Sequence, residues 1–280
     1  MTRGRCAVAL VGLAFGTAGA QTWHSVEVSR PLRDSGQLRV HAVYAGGKLD
    51  IRAATEPVLF GMQLRYSGVG GHPVHTYDST NRTLTVGVSG ETIEFAHHVD
   101  NSAGQMNLEL SQHVPINLDV DLGAATADLD LGGLRLTETR VHSGAAQVTL
   151  AFSTPNVARM SVFEIDVGAA ELDATGLANA NASSIRVNAG VGALDLTLDG
   201  NWTQDVSLDV TADLGKVAVR VPSDVGIQVE AQKVVAGFEH PDLVKRGEYY
   251  VSSNWDTARY KLRVRANTTL GDIDIERTVH

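Results

Sequence analysis

A chain of 280 residues with 32 acidic and 23 basic side chains, formally −9 with neutral histidine, argues against nucleic acid or anionic lipid as a partner. Its single cysteine rules out a disulfide framework. Aromatic residues are only 5% of the chain while Gly alone numbers 28, so a thin core of small layers is expected.

Residues 1–20 read as a secretory signal peptide. Arg3 and Arg5 make a basic start, residues 6–15 an apolar core too short to anchor permanently in a bilayer, and Ala18-Gly19-Ala20 a cleavage site before Gln21. Cleavage would remove Cys6, Arg3 and Arg5, leaving 21 basic against 32 acidic residues, net −11. With no other apolar run of spanning length, the expectation is an exported protein with no transmembrane segment after cleavage, placed in the periplasm or at the cell surface.

Residues 21–100 are expected to form an N-terminal β module and cap. Alternation predicts strands at 25–29, 38–44, 48–52, 58–66 and 82–88, with Gly47 between the second and third and a Gly/Pro/His-rich loop over 67–79. Residues 101–280 are expected to be β-solenoid repeats: core copies over 118–222, an irregular cap over 232–256 and closing strands over 260–276. The best helical candidate, 241–247, is too short to matter.

The core copies share one phrase: an alternating apolar strand, a glycine, and a second alternating strand. The glycines are Gly123, Gly144, Gly168, Gly192 and Gly215, spaced by 21, 24, 24 and 23 residues, with relatives at Gly47 and Gly271. Before the glycine, Phe163, Ile165 and Val167 alternate, as do Val187, Ala189 and Val191, and Leu208, Val210, Ala212 and Leu214. After it, Leu194, Leu196 and Leu198 or Val217, Val219 and Val221 alternate with the opposite parity. A strand cannot change parity and keep one face inward without bending, so each glycine is predicted to be a corner. No copy can bury its apolar face alone, and stacking copies about 4.8 Å apart solves this. The predicted fold is an all-β solenoid, a stacked-strand rack of β-helix type, with its ends capped against edge-to-edge pairing.

The runs from Phe163 to Asp173, Ile185 to Leu198 and Leu208 to Val221 resemble the toast-rack family of bacterial envelope proteins, relatives of the C-terminal domain of LiaF-like proteins. Residues 43–51 are similar to the family's N-terminal module, and Gly237-Phe238 and 269–273 to its closing strands. The resemblance implies a rack of strands and an envelope or interaction role, with no catalytic residues to carry over. It also implies a departure, since LiaF-like regulators carry transmembrane helices ahead of this domain.

Counting from the glycines places Glu171 beside Asp195 on the wet face, and Asp121, His142 and Asp166 in a second column. Like charges on neighbouring strands repel and would welcome a cation, which makes Asp166, Glu171 and Asp195 the metal candidates and calcium the ion. The calcium-binding nonapeptide phrase is absent, so no metal or other cofactor is expected. His72 and His75 form a His-x-x-His pair with His97-His98 further on, without further ligands at zinc spacing. No nucleophile elbow or phosphate loop occurs, and no catalytic residue is named. The expected function is a non-catalytic cell-envelope scaffold or adhesion surface for a protein or polysaccharide. Two alternatives stand beside it: a β-helix carbohydrate-active enzyme working through strand carboxylates, and a calcium-stabilised repeat.

Overall fold

Alternation of apolar and polar residues commits nearly every described segment to strand, and the computed structural model arranges those strands as rungs. It describes residues 23–67, 72–89, 104–232 and 237–279; residues 1–20, read from sequence as a signal peptide, and His97-His98 lie outside them. In chain order the strands are β1 (Trp23–Pro31), β2 (Leu38–Ala53), β3 (Val58–Ser67), β4 (His72–Asp78), β5 (Thr83–Ser89), β6 (Gln105–Leu110), β7 (Ile116–Asp130), β8 (Leu136–Ser143), β9 (Gln147–Ala151), β10 (Val162–Thr175), β11 (Ser184–Thr197), β12 (Val206–Pro222), β13 (Gly226–Gln232), β14 (Phe238–Glu239), β15 (Leu243–Arg246), β16 (Tyr249–Ser252) and β17 (Lys261–Thr278).

All seventeen described strands form one continuous sheet, and the long strands β2, β7, β10, β11, β12 and β17 each change burial parity once, dividing it into two limbs; β8 and β9 together make one further rung. The first limb runs β4–β5–β2–β7–β8–β10–β11–β12–β17–β13–β16–β15, and the second β1–β3–β6–β2–β7–β9–β10–β11–β12–β17–β14. Rung pairs are parallel and in register, from Leu38↔Ile116 through Val187↔Val210 to Val219↔Ile275. The core lies between the limbs. Val120, Ile165, Val187 and Leu208 point inward from the first, Leu129, Leu150, Leu196 and Val219 from the second, and all are fully buried. Burying such a side chain contributes about 1.5–3 kcal/mol, and each rung repeats the gain against its neighbours.

The parity change is present, but the corner is a step of three to five residues rather than one glycine. In β10 burial passes from Val167 to Ala170; in β11 it passes from Ala189 to Leu194, and in β12 from Ala212 to Val217. Val191 and Leu214, expected inside, are 50% and 47% exposed. Two ladders therefore run along the bend. Ala45, Gly123, Gly144, Gly168 and Gly190 stand on the first, and Gly47, Ala125, Ala146, Ala170, Gly192, Gly215 and Gly271 on the second. The sequence count aligned Gly168 with Gly192, but these glycines occupy different ladders, offset by two residues. On the second ladder Gly215 has φ 141° and a β-carbon there would meet the Gly192 carbonyl oxygen at 1.8 Å, so only glycine fits. On the first, Gly144 has 3.5 Å to the nearest atom and no positive φ, so it is not a required corner glycine.

Both ends are closed by insertions. Strands β3 to β6 lie between β2 and β7 in sequence but outside β2 in space; β13 to β16 lie between β12 and β17 in sequence but outside β17 in space. The predicted 67–79 loop contains β4, which pairs antiparallel with β5. It is an edge strand, where Pro73 costs no ladder bond. The helical candidate at 241–247 is β15, paired with β16.

On the return side, between the second limb and the next rung, asparagines replace a third sheet. Asn156, 3% exposed, bonds the backbone of Leu136 and Ala180, Asn179 donates to Phe152 O, and Asn181 donates to Ala158 O. These amides satisfy turn groups that would otherwise be buried unpaired.

Candidate functional site

Strand alternation sends residues 119, 121, 140, 142, 164 and 166 to the outer face of the first limb, where parallel register turns them into columns. One column reads His41, Asp119, Arg140, Glu164, Arg186, Asp209, Arg265 and Glu230, one residue per strand from β2 to β13. From Asp119 onward the sign alternates at every step. Arg186 stands 3.0 Å from Glu164, and Arg265 bridges Asp209 at 3.0 Å and Glu230 at 3.5 Å. Neighbours about 4.8 Å apart attract throughout, so the wall is highly charged and locally neutral.

The second column, nearer the corner, reads Asp121, His142, Asp166, Asn188, Thr211 and Asn267. With the first glycine ladder it lines a groove of about 510 Å³, in which Asp213 marks the β12 end. Gly144, Gly168 and Gly190 line it with bare backbone; a β-carbon on Gly190 would meet Gly168 O at 2.7 Å. Asn188 donates to Asp166 Oδ1 at 2.6 Å. Beyond the groove the corner step exposes an apolar ridge, Val191, Leu214 and Leu270, on three successive rungs.

At the β2–β8 end of the groove two imidazoles interleave with three carboxylates. His41 Nε2 lies 2.7 Å from Asp121 Oδ2; His142 Nδ1 lies 3.3 Å from Asp166 Oδ2, and its Nε2 lies 4.0 Å from Asp119 Oδ1. Ligand atoms of Asp119, Asp121 and His142 all fall within 4.8 Å of one another.

The three metal candidates read from sequence are not brought together. Asp166 lines the groove. Glu171 stands on the second limb beside Gln147 and Ala193, not beside Asp195. The two-residue register difference between β10 and β11 is the cause. Asp195 is instead level with Asp173 and pairs with Arg220, which also holds Glu276 at 2.9 Å. His72 and His75, three residues apart on β4, point to opposite faces and cannot share an ion. What sequence reading missed is the cross-strand partner of Asp119 and Asp121. Its signal was present in the column Asp121, His142 and Asp166, but His41, on a strand assigned to the N-terminal module, was not aligned with them.

Fold and site together define an all-β stacked-strand rack with a charged outer wall and a polar groove along it. A model for the N-terminal domain of toast_rack, DUF2154, matches residues 20–174, more than half of the chain. The chain belongs to the toast-rack family. No curated protein matches the chain. Among solved structures, a candidate cell adhesion protein from Clostridium sporogenes is 16% identical, covering 92% of this chain and 100% of that one with a TM-score of 0.49. A candidate adhesin from Bacteroides fragilis is 11% identical, with coverage of 91% and 98% and a TM-score of 0.40. A third, from Parabacteroides distasonis, is 10% identical, with coverage of 93% and 98% and a TM-score of 0.37. No functional residue is carried from them to this chain. No helix of the described residues is long and apolar enough to cross a membrane.

Proposed function

We propose that the protein is a non-catalytic exported component of the bacterial cell envelope, and that the first-limb wall and its groove bind an envelope polysaccharide or a protein. The observation carrying this reading is the groove's lining: carboxylates, an imidazole, an amide and a hydroxyl repeat from strand to strand along its length. Such a row offers hydrogen bonds in register to an extended polar ligand, whereas this open groove does not enclose a small apolar molecule. Catalysis by paired carboxylates is disfavoured by the same geometry. Asp121 is held by His41, Asp166 accepts from Asn188, His142 stands between them, and the groove lining includes no Phe, Tyr or Trp to form a sugar platform. Export rests on the N-terminal sequence pattern alone.

Co-sedimentation with purified envelope polysaccharide, followed by a reducing-end assay, tests the reading. Binding by the wild type, loss in Asn188→Ala/Thr211→Val, and no new reducing ends would support it. Release of reducing ends would replace it with the enzyme reading. Export is tested separately, by the compartment and mature N-terminus of the full chain in a bacterial host.

A further inference from the structure

The groups at the β2–β8 end of the groove are of the types that ligate a cation. Asp119 and Asp121 share a strand and a face at i and i+2, His142 faces them from β8, and His41 from β2. Two facts beyond the clustering point to an ion. Asp119 Oδ1 is shielded from water and has no hydrogen-bond partner among the described residues. The imidazole opposite it does not supply one: His142 Nε2 stands 4.0 Å from Asp119 Oδ1, beyond hydrogen-bond range, while its Nδ1 faces Asp166 Oδ2 at 3.3 Å. A carboxylate oxygen and an imidazole nitrogen, both metal-ligand types, thus stand on either side of a gap without a hydrogen bond between them. A carboxylate behind the far nitrogen of an imidazole is the arrangement that orients metal-ligating histidines.

We infer that this cluster is a divalent transition-metal site of zinc type, with Asp119, Asp121 and His142 as ligands, Asp166 orienting His142, and His41 steadying Asp121 or entering as a fourth ligand. Imidazole with carboxylates suits Zn²⁺, which takes four N/O ligands at about 2.0–2.2 Å. It does not suit Ca²⁺, which takes oxygen alone. The ligand atoms, within 4.8 Å of one another, would draw in by side-chain rotation to tetrahedral edges of about 3.3 Å, the spacing those bond lengths imply. The ion would tie β2, β7 and β8 together, joining the first rung to the repeats. This inference does not depend on what the wall binds.

The test is Zn²⁺ binding to the chelator-treated, dialysed protein by calorimetry, with a thermal melt on the same samples. Expected are one Zn²⁺ per chain, a higher melting temperature with Zn²⁺ but not with Ca²⁺, and binding weakened at least about ten-fold by His142→Ala and by Asp166→Ala. Asp195→Ala, on the other limb, should bind as the wild type. Co²⁺ in place of Zn²⁺ should give the visible absorption of a four-coordinate ion, absent from His142→Ala. Because His142 is 41% exposed, its replacement should fold, and Asp119→Asn provides a second ligand variant. No binding by the wild type, binding that survives His142→Ala, or an equal response to Ca²⁺ would each overturn the site.

Discussion

The carbonyl oxygen of Gly192 occupies the space that a side chain on Gly215 would need: a β-carbon there would lie 1.8 Å from it. The same relation links Gly271 to Gly215 and Gly192 to Ala170, so the second corner ladder closes by backbone stacking directly on backbone. Gly215→Ala must both relieve that contact and hold φ 141°, a conformation that costs a residue with a side chain about 1–3 kcal/mol before any clash. It should destabilise by at least about 2–3 kcal/mol in urea unfolding. Gly144→Ala, with 3.5 Å of clearance and ordinary backbone angles, should change stability by less than about 1 kcal/mol and could gain from a stiffer unfolded chain. Equal losses at the two sites would contradict the offset ladders.

Arg186 lies between Glu164 and Asp209, in a column whose sign alternates from strand to strand. Each pair is solvent-exposed and individually worth about 0–1 kcal/mol. Reversal is a different matter, because Arg186→Glu places three acidic groups in a row. The expected loss is about 1–2 kcal/mol at low salt, shrinking towards that of Arg186→Gln in 1 M salt, where the screening length falls to about 3 Å. Urea unfolding of both variants at two salt concentrations measures it. A salt-independent loss would mean that Arg186 acts through packing rather than charge.

The fold was legible because burial by alternation is local: the inward residues Phe163, Ile165, Leu196 and Val219 can be named from parity alone, and each is buried. Register between rungs was not, because it depends on the distance around the return side. Gly190-Val191-Gly192 holds both ladder positions in one rung, and spacing cannot say which glycine aligns with Gly168. Taking the second moved Asp195 opposite Glu171. The backbone pairs Glu171 with Ala193, and Asp195 with Asp173. The His–Asp cluster was half legible for a similar reason. Asp121, His142 and Asp166 share a count from their glycines, but His41 joins them only through the β2–β7 pairing, which spans an insertion. That insertion is the N-terminal cap, so its length hides the register.

Asp78 closes the β4–β5 hairpin, accepting from the Asn81 side chain at 2.7 Å, from Asn81 N at 3.2 Å and from Thr80 N at 2.8 Å. These bonds, the Asn81 amide foremost, hold its carboxyl below the ordinary value of 3.8, because they stabilise the ionised form. A depressed folded value means stability that is fully present above the unfolded value and lost as pH falls through the folded one. Asp78→Asn keeps an acceptor oxygen but cannot titrate. The stability difference between wild type and Asp78→Asn should therefore be constant above about pH 5 and shift against the wild type as pH drops below 3.8. A difference that stays flat to pH 2 would mean that the turn does not need the charged form.

Leu208 and Leu214 lie six residues apart on β12 with the same parity, and an unbroken strand would bury both. Leu208 is 0% exposed and Leu214 is 47% exposed, because the step to the second limb begins at Asp213. Leu208→Ala leaves a cavity between the limbs and should cost about 2–5 kcal/mol, the range for a truncated core leucine. Leu214→Ala removes area that is already half in water and should cost less than about 1 kcal/mol. Thermal and urea unfolding of the two variants separates the cases. Comparable losses would return Leu214 to the interior and restore a single-residue corner. If the loss at Leu214 is small, the same variant becomes a probe of the exposed ridge: together with Leu270→Ala it alters the surface beside the groove while leaving the core intact.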